Sequence, residues 1–221
     1  MSSVLRREIE QLKKMLLSVG AMVEDAIAKA IYALKQRDVV LAEAIIKADR
    51  EIDAMEVRVE EECLKILALH QPVAQDLRFV VAVMKINNDL ERMGDLAANI
   101  AKRTRYLAAQ PSLGLPLDFA GMAAKSQAMV KRSLDALVNG DPVLARQILK
   151  DDDAVDRMRK DMEDLVLTEI QLRPQFTTHL LKLASVARHL ERLADMATNI
   201  AEDVIYMVEG EIIRHKDALS E

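Results

Sequence analysis

Apolar residues recur along this chain at alternating spacings of four and three, and this pattern constrains the fold more than any other feature. A seven-residue rhythm is typical of α-helices that pack nearly parallel in a left-handed bundle. Six Gly and five Pro in 221 residues are too few to supply the turns of a many-stranded sandwich or barrel. The first run of the pattern consists of Leu5, Ile9, Leu12, Leu16, Val19, Val23, Ala26 and Ala30. A later run, Leu41, Ile45, Ala48, Ile52, Met55 and Val59, predicts that Ala48 lies on the apolar seam and Asp49 at its edge.

The few interruptions of this pattern predict six long helices. Asp38 is a candidate N-cap, and Pro72 and Pro174 cannot continue a helical hydrogen-bond ladder. Gly140 before Asp141 is typical of one helix ending where the next begins. The predicted helices lie near residues 3–36, 39–69, 75–108, 117–138, 142–171 and 176–209.

The second half of the chain repeats the first. Residues 89–101 match residues 189–201 at an offset of 100, and residues 49–55 match residues 152–158 at an offset of 103. Such a duplication predicts an all-α fold of two tandem, pseudo-symmetric three-helix bundles. The predicted division places the first repeat at residues 1–109, a linker at 110–116 and the second repeat at 117–221.

Composition and charge exclude several classes of protein. A net charge of −5 and the lack of Trp argue against nucleic-acid binding. A single Cys allows no internal disulfide and fits the cytoplasm. Charged residues appear at Arg6 and Arg7, too early for a secretory apolar stretch, and no apolar run approaches the ~18 residues of a membrane span. We therefore expect a cytoplasmic protein.

Pairs of acids four residues apart mark the second and third helix of each repeat. Side chains four apart share one helical face, so the two carboxylates of a pair repel each other. Clustered oxygen ligands of this kind suit a hard or borderline cation. The alternative is a solvated helix edge at which Arg92 and Arg192 pair with the acids. The candidate metal ligands are Asp49 and Asp53, Glu91 and Asp95, Asp152 and Asp156, and Glu191 and Asp195.

Other polar residues carry weaker signals. His189 is a candidate auxiliary ligand, although an ordinary surface histidine explains it more simply. Cys63 falls on an apolar helix face, where it is expected to pack. The sequence contains no Gly-rich phosphate loop and no recognisable nucleophile–base arrangement, so no catalytic residue is predicted.

Three segments resemble the PhoU family of bacterial phosphate-uptake regulators, and the likeness extends over nearly the whole chain. The sequence is QPVAQDLR at residues 71–78, MKINNDLERMGDLAANIA at 84–101 and HLERLADMATNIAEDVIY at 189–206. One departure is Ala194, which stands where the first repeat has Gly94.

The resemblance implies a function and a site. It implies a non-catalytic, cytoplasmic negative regulator of phosphate uptake and of the phosphate-starvation response. Its implied partners are the ATPase of the phosphate ABC transporter and a phosphate-sensing histidine kinase, through which it is peripheral to the membrane. It also implies that the eight acids bind iron, zinc, magnesium or manganese.

Two alternatives to the regulator stay open, a metal-dependent enzyme and a metal-storing structural bundle. A homodimer is also predicted, because a long bundle in which 51% of the residues are hydrophobic has much flank to cover.

Overall fold

The computed structural model describes residues 3–213, and these fold into six long α-helices without a β-strand. A short 3₁₀ turn at Pro174–Phe176 precedes the last helix. The predicted all-α class is confirmed, whereas the predicted repeat ends at residues 1 and 221 lie outside the described part. The helices are α1 (Ser3–Gln36), α2 (Val39–His70), α3 (Ala74–Ala108), α4 (Phe119–Asn139), α5 (Pro142–Leu172) and α6 (Thr177–Glu209).

The helix ends follow the local chemistry that the sequence indicated. Asp38 caps α2 by accepting a hydrogen bond from the Leu41 amide at 2.9 Å. Gly140 ends α4 in the left-handed conformation, with φ of 58°. The start predicted for α4 at residue 117 is two residues early, because the Asp118 carboxylate accepts from the Gly121 amide at 2.8 Å and so sets the first turn.

Each half of the molecule is a three-helix bundle. In the first half α1, α2 and α3 all pack on one another, and α4, α5 and α6 repeat these pairings in the second. The halves join mainly through α3 and α6, and α1 also touches α4. The tandem, pseudo-symmetric arrangement is therefore confirmed. Because the halves pack together, their division into separate domains at residues 110–116 stays a prediction.

Polar contacts help to hold the two halves in register. The Arg78 guanidinium near the start of α3 donates to the Met207 carbonyl near the end of α6 at 3.3 Å. Lys85 forms an ion pair of 3.3 Å with the buried Asp203. Both contacts span the α3–α6 interface, so this interface is more than an apolar seam.

The apolar rhythm produces one continuous core that runs through both bundles. Its largest fully buried side chains are Leu, Ile and Met residues, in agreement with the predicted role of methionine as core filling. In the described part of the chain, no helix combines the length and the apolar composition that crossing a bilayer requires.

We predict that Leu190→Ala destabilises the protein strongly. The Leu190 side chain in α6 is 0% exposed, so its removal leaves a cavity and should lower the free energy of unfolding by about 3–5 kcal/mol. Urea unfolding followed by circular dichroism measures the change. The matched control in the same helix is Leu181→Ala, because Leu181 is 54% exposed and should cost less than about 0.5 kcal/mol. Equal costs for the two variants would contradict the packing described here.

Candidate metal centre

The core-facing seam of α2 is interrupted by two acids. Its buried residues are Ala42, Ile45, Ile52, Val59, Cys63 and Ile66. The gaps in their alternating spacing of three and four fall at Asp49 and Glu56, which are half-buried. The sequence analysis placed Ala48 on the seam and the acids beside it. That assignment is wrong, because Ala48 is exposed and Asp49 takes the core-facing position instead.

The same interruption occurs in α5. Its buried residues are Ala145, Ile148, Val155, Met162 and Val166, and the gaps fall at Asp152 and Arg159. Both side chains are half-buried. The offset of 103 that relates Asp49 to Asp152 also relates Glu56 to Arg159. The two halves therefore share an acid at the first interruption, and at the second they carry side chains of opposite charge.

Helix α3 adds two acids to the pair on α2. Burial raises the pKa of Glu91, and repulsion from Asp95, Asp53, Glu56 and Asp49 raises it further. These interactions couple five carboxylates from two helices, whereas the one group of three acids with oxygens within 4.8 Å of one another among the described residues lies in the second half of the chain. We call the five coupled carboxylates the first acid cluster, and it consists of Asp49, Asp53, Glu56, Glu91 and Asp95.

Asp49 has a similarly unfavourable environment within the first acid cluster. Burial is the largest cause of its raised pKa, followed by repulsion from Asp95 and Asp53. Among the described residues, Lys102 is the one cation that lowers the pKa of Asp49. A bound cation would therefore relieve repulsion that the surrounding side chains offset only in part.

Glu56 belongs to the first acid cluster but was not predicted from the sequence. The buried Asn87 donates from its amide nitrogen to the Glu56 carbonyl at 2.9 Å and to the Glu56 carboxylate at 3.3 Å, which orients the side chain. The 3–4 spacing of the buried α2 residues was the available signal. Glu56 fills an apolar gap in that spacing, as Asp49 does.

Gly94 allows α2 to approach α3 closely beside the first acid cluster. A Cβ atom at this position would lie 3.0 Å from Cδ1 of Ile52 and 3.4 Å from Oδ1 of Asp49. The second repeat has a fully buried Ala194 at the equivalent position. The α2–α3 pair and the α5–α6 pair therefore carry similar acids but differ by one methyl group at this contact.

The second acid cluster consists of Asp152, Asp156, Glu191 and Asp195. One carboxylate oxygen from each of Asp156, Glu191 and Asp195 lies within 4.8 Å of the others, a spacing that could hold a metal ion. Within residues 3–213 the buried Oδ1 of Asp152 has no hydrogen-bond partner. Burial, together with repulsion from Asp195, Asp156, Glu191 and Asp153, raises the pKa of Asp152 to about 6.

Arg159 gives the second acid cluster a counter-charge of its own. Its Nε atom lies 3.4 Å from a carboxylate oxygen of Glu191, and its guanidinium also pairs with Glu163. Burial and Asp195 raise the pKa of Glu191, and Arg159 and Arg192 oppose this rise. The second cluster therefore has more neighbouring cations than the first.

The arginines next to the acids behave differently in the two halves. Burial and repulsion from Asp156 raise the pKa of Asp195, and Arg192 opposes this rise, in the direction expected of the pairing considered from the sequence. Arg92 lies instead 3.7 Å from Asp89, on its own helix. The pairing of Arg92 with the first acid cluster is therefore not observed, because its side chain extends along α3 toward the preceding turn.

His189 and Cys63 lie apart from the acids. The His189 ring is half-buried and contacts the Ser185 hydroxyl at 3.2 Å, and that hydroxyl accepts a hydrogen bond from Arg103 of α3 at 3.0 Å. His189 thus belongs to the α3–α6 interface and is neither a surface histidine nor placed as an auxiliary ligand. Cys63 is fully buried, as expected, and burial raises its pKa to about 12, so the thiol stays protonated.

Both clusters offer carboxylate oxygens alone, the donor set that magnesium, manganese and ferric ions favour. No His or Cys side chain joins either cluster among the described residues. Each cluster bridges two helices, so a cation bound there would connect α2 with α3, or α5 with α6.

Comparison with known proteins gives consistent matches across the chain. The PhoU domain family matches residues 16–104 and again residues 119–204, and each match contains one acid cluster. A protein from Aquifex aeolicus, named phosphate-specific transport system accessory protein PhoU homolog, is 40% identical to this chain over 210 residues. The alignment covers 95% of this chain and 95% of that protein.

Solved structures agree with this match. The crystal structure of PhoU from Pseudomonas aeruginosa is 35% identical with a TM-score of 0.90, and the alignment covers 93% of this chain and 99% of that one. The phosphate transport system regulatory protein PhoU from Streptococcus pneumoniae is 29% identical with a TM-score of 0.87, covering 95% and 99%.

We predict that Asp152→Asn stabilises the metal-free protein at pH 7. A carboxyl whose pKa is raised from 3.8 to about 6 by folding opposes folding above pH 6, and this cost disappears as the pH falls toward 4. This rise in pKa corresponds to a loss of at most ~3 kcal/mol in the free energy of unfolding, and solvent screening at a half-buried site reduces the loss to ~1–2 kcal/mol. Thermal unfolding in chelator from pH 4 to 8 measures the gap between variant and wild type.

The control for this experiment is Asp161→Asn, an exposed acid on the same helix. Its stability should track the wild type at every pH. A gap between Asp152→Asn and the wild type that stays constant from pH 4 to 8 would show that the carboxyl titrates normally, and would contradict the described environment.

Proposed function

Because this chain belongs to the PhoU family, we propose that it is an accessory protein of a phosphate-specific transport system and a negative regulator of phosphate uptake and of the phosphate-starvation response. The observation that carries the proposal is the match of both halves over nearly the full chain. The names of the relatives describe accessory and regulatory proteins, which supports a non-catalytic role.

In this role the protein is a cytoplasmic homodimer that acts as an adaptor. Its partners are the ATPase of the phosphate ABC transporter and a phosphate-sensing histidine kinase, which hold it at the membrane. Exposed apolar side chains support protein contacts at the α2–α3 end of the first bundle, where Leu69, Val73 and Leu77 lie close together in sequence. The α5–α6 end has Leu172 and Leu181.

The two acid clusters are the proposed metal sites of this adaptor. The first would use Asp49, Asp53, Glu91 and Asp95, and the second Asp152, Asp156, Glu191 and Asp195. The support is electrostatic, since the folded chain brings these acids together against their mutual repulsion. A bound magnesium, manganese, iron or zinc ion would offset that repulsion and cross-link two helices.

The clusters should differ in affinity for cations. The first cluster has Glu56 where the second has Arg159, and Arg159 already neutralises part of the charge around Glu191. A cation entering the second cluster meets less negative charge, so we expect the first to bind more tightly.

We predict that manganese stabilises the wild type and that Asp53→Asn/Asp95→Asn removes most of this effect. Binding to the folded form alone raises stability by about 2.7 kcal/mol at a hundredfold excess of metal over Kd. Asn keeps the size of each side chain and removes the charge. Melting temperature with manganese and with chelator gives the difference for each protein.

The matched variants separate the two clusters. Asp156→Asn/Asp195→Asn should remove a smaller part of the manganese effect, and Asp161→Asn/Asp164→Asn, at exposed positions of α5, should remove none. If none of manganese, magnesium, zinc and iron changes the melting temperature of the wild type, the clusters are not metal sites. The regulatory proposal survives that outcome, because it rests on the family.

We predict that Val73→Asp reduces co-purification with the ATPase of the phosphate transporter about tenfold or more, a loss typical of burying a charge in an apolar contact. Val73 is 74% exposed and is the N-cap of α3, where it makes no side-chain cap. Asp is a favourable N-cap, so the variant should fold at least as well as the wild type.

The control for this prediction is Val40→Asp. Val40 is 83% exposed in the first turn of α2, near the opposite end of that helix. An acid there is compatible with the helix dipole, so the fold is retained. Unchanged ATPase capture by Val73→Asp would exclude the α2–α3 end as the contact, and failure of the wild type to capture it would contradict the adaptor.

A further inference from the structure

A cavity of about 430 Å³ lies where the two bundles meet at the connection between α3 and α4. Its walls come from the ends of α1 and α3, the connecting segment 109–118 and the start of α6. The volume is in the range of pockets that hold small organic molecules. None of the eight predicted metal ligands lines it.

The connecting segment forms an apolar wall of this cavity. Leu113, Leu115 and Leu117 line it and are half-buried, whereas the residues between them are exposed. This alternation turns one face of the segment toward the cavity. Leu34 and Leu183 add apolar surface from α1 and α6.

Side chains from both bundles fasten the segment. The Nη2 atom of Arg37 donates to the Leu107 carbonyl at 2.7 Å and to the Gln110 carbonyl at 2.8 Å. The Nη1 atom of Arg173 donates to the Leu113 carbonyl at 3.4 Å. The wall is therefore held in place by side chains of both bundles.

His179 lines the cavity with its ring, whereas its Nδ1 atom is shielded from the open space. The residue is 5% exposed, and within residues 3–213 its Nδ1 atom has no hydrogen-bond partner. Burial lowers the pKa of the imidazole, and the nearby Arg37 guanidinium lowers it further, so the ring is neutral at pH 7.

The charges around the cavity favour an anion. Lys35, Arg37 and Asp118 are its charged lining residues, which leaves one net positive charge. The Asp118 carboxylate is engaged, since it accepts from the Gly121 amide at the start of α4. Because Nη2 of Arg37 is already bound to two carbonyls, few donors remain, and they suit a small planar group with two oxygens.

The pseudo-symmetric counterpart lacks this combination. At the opposite end of α6 a cavity of about 460 Å³ is lined by Arg6, Glu10, Lys13 and Asp76. Asp76 occupies the position that corresponds to His179 at the offset of 103. Two acids and two cations make that cavity polar and close to neutral, so it serves as an internal control.

We propose that the cavity at the α3–α4 connection binds an amphipathic carboxylate, with its hydrocarbon part against Leu113, Leu115 and Leu117 and its carboxylate at Lys35 and Arg37. The apolar wall and the positively charged rim complement the two parts of such a molecule. This site is separate from the acid clusters, and it stands whether or not these bind metal.

Decanoate is the probe that tests this site, with the neutral decanol as its comparison. NMR titration of the ¹⁵N-labelled full chain should shift the amides of residues 113–117 and Leu183, and leave those around Asp76 unchanged. Loss of the charge should make decanol bind about tenfold more weakly than decanoate. Lys35→Met keeps the length of the side chain and removes its charge, so it should weaken decanoate binding to a similar extent.

Two tryptophan variants complete the test. Leu115→Trp fills the cavity from the connecting segment and should abolish decanoate binding, whereas Val138→Trp, at the Asp76 cavity, should leave it intact. Leu115 lies outside the helices, so its replacement spares the bundles. Absence of shifts up to about 1 mM decanoate, or an equal Kd for wild type and Leu115→Trp, would overturn the proposal.

Discussion

Burial of the apolar seams is the interaction on which the rest of this structure depends. Each fully buried Leu, Ile or Val contributes about 1.5–3 kcal/mol, and the seams run the length of every helix. The repulsion between two carboxylates four residues apart is only a few tenths of a kcal/mol. Packing therefore sets the register of α2 on α3 and of α5 on α6. This register places Asp49 and Asp152 in core-facing positions that are electrostatically unfavourable for them. The acid clusters are a consequence of that register, held together by apolar side chains that surround them.

Periodicity predicted the fold well, and the candidate site less well, for a physical reason. Helix type and length depend on spacing and on caps such as Asp38 and Gly140, which are local in sequence. Which side chains of a helix face a neighbour depends on its rotation, and an error of one residue moved the α2 seam onto Ala48. The same error hid Glu56, because a charged residue was not considered for an apolar position. The direction of the Arg92 side chain and the pairing of His189 with Ser185 depend on rotamers and on α3–α6 packing, neither of which a single sequence carries.

Duplication preserved the geometry of the two halves while their chemistry diverged. Glu56 and Arg159 occupy equivalent positions, yet one adds to the repulsion in its cluster and the other relieves it. Gly94 and Ala194 differ by one methyl group where the helices are closest. Asp76 and His179 make the two end cavities chemically distinct. A pseudo-symmetric scaffold with unlike sites can present a different surface at each end, as the proposed adaptor role between two partners would require.

The seam positions of the acids also determine how a bound cation would act on the rest of the protein. Asp49 and Glu56 lie on the same face of α2 as the buried Ile52 and Val59, so neutralising them would tighten the packing of α2 on α3. Helix α3 is shared with the interface to α6, through Arg78 and Lys85. The first cluster and the junction of the two bundles are therefore joined by one continuous helix, along which a displacement caused by a bound cation would be passed on. The charge that Arg159 supplies in the second half would make α5 and α6 less dependent on a cation, so the metal response of the molecule would be concentrated in its first bundle.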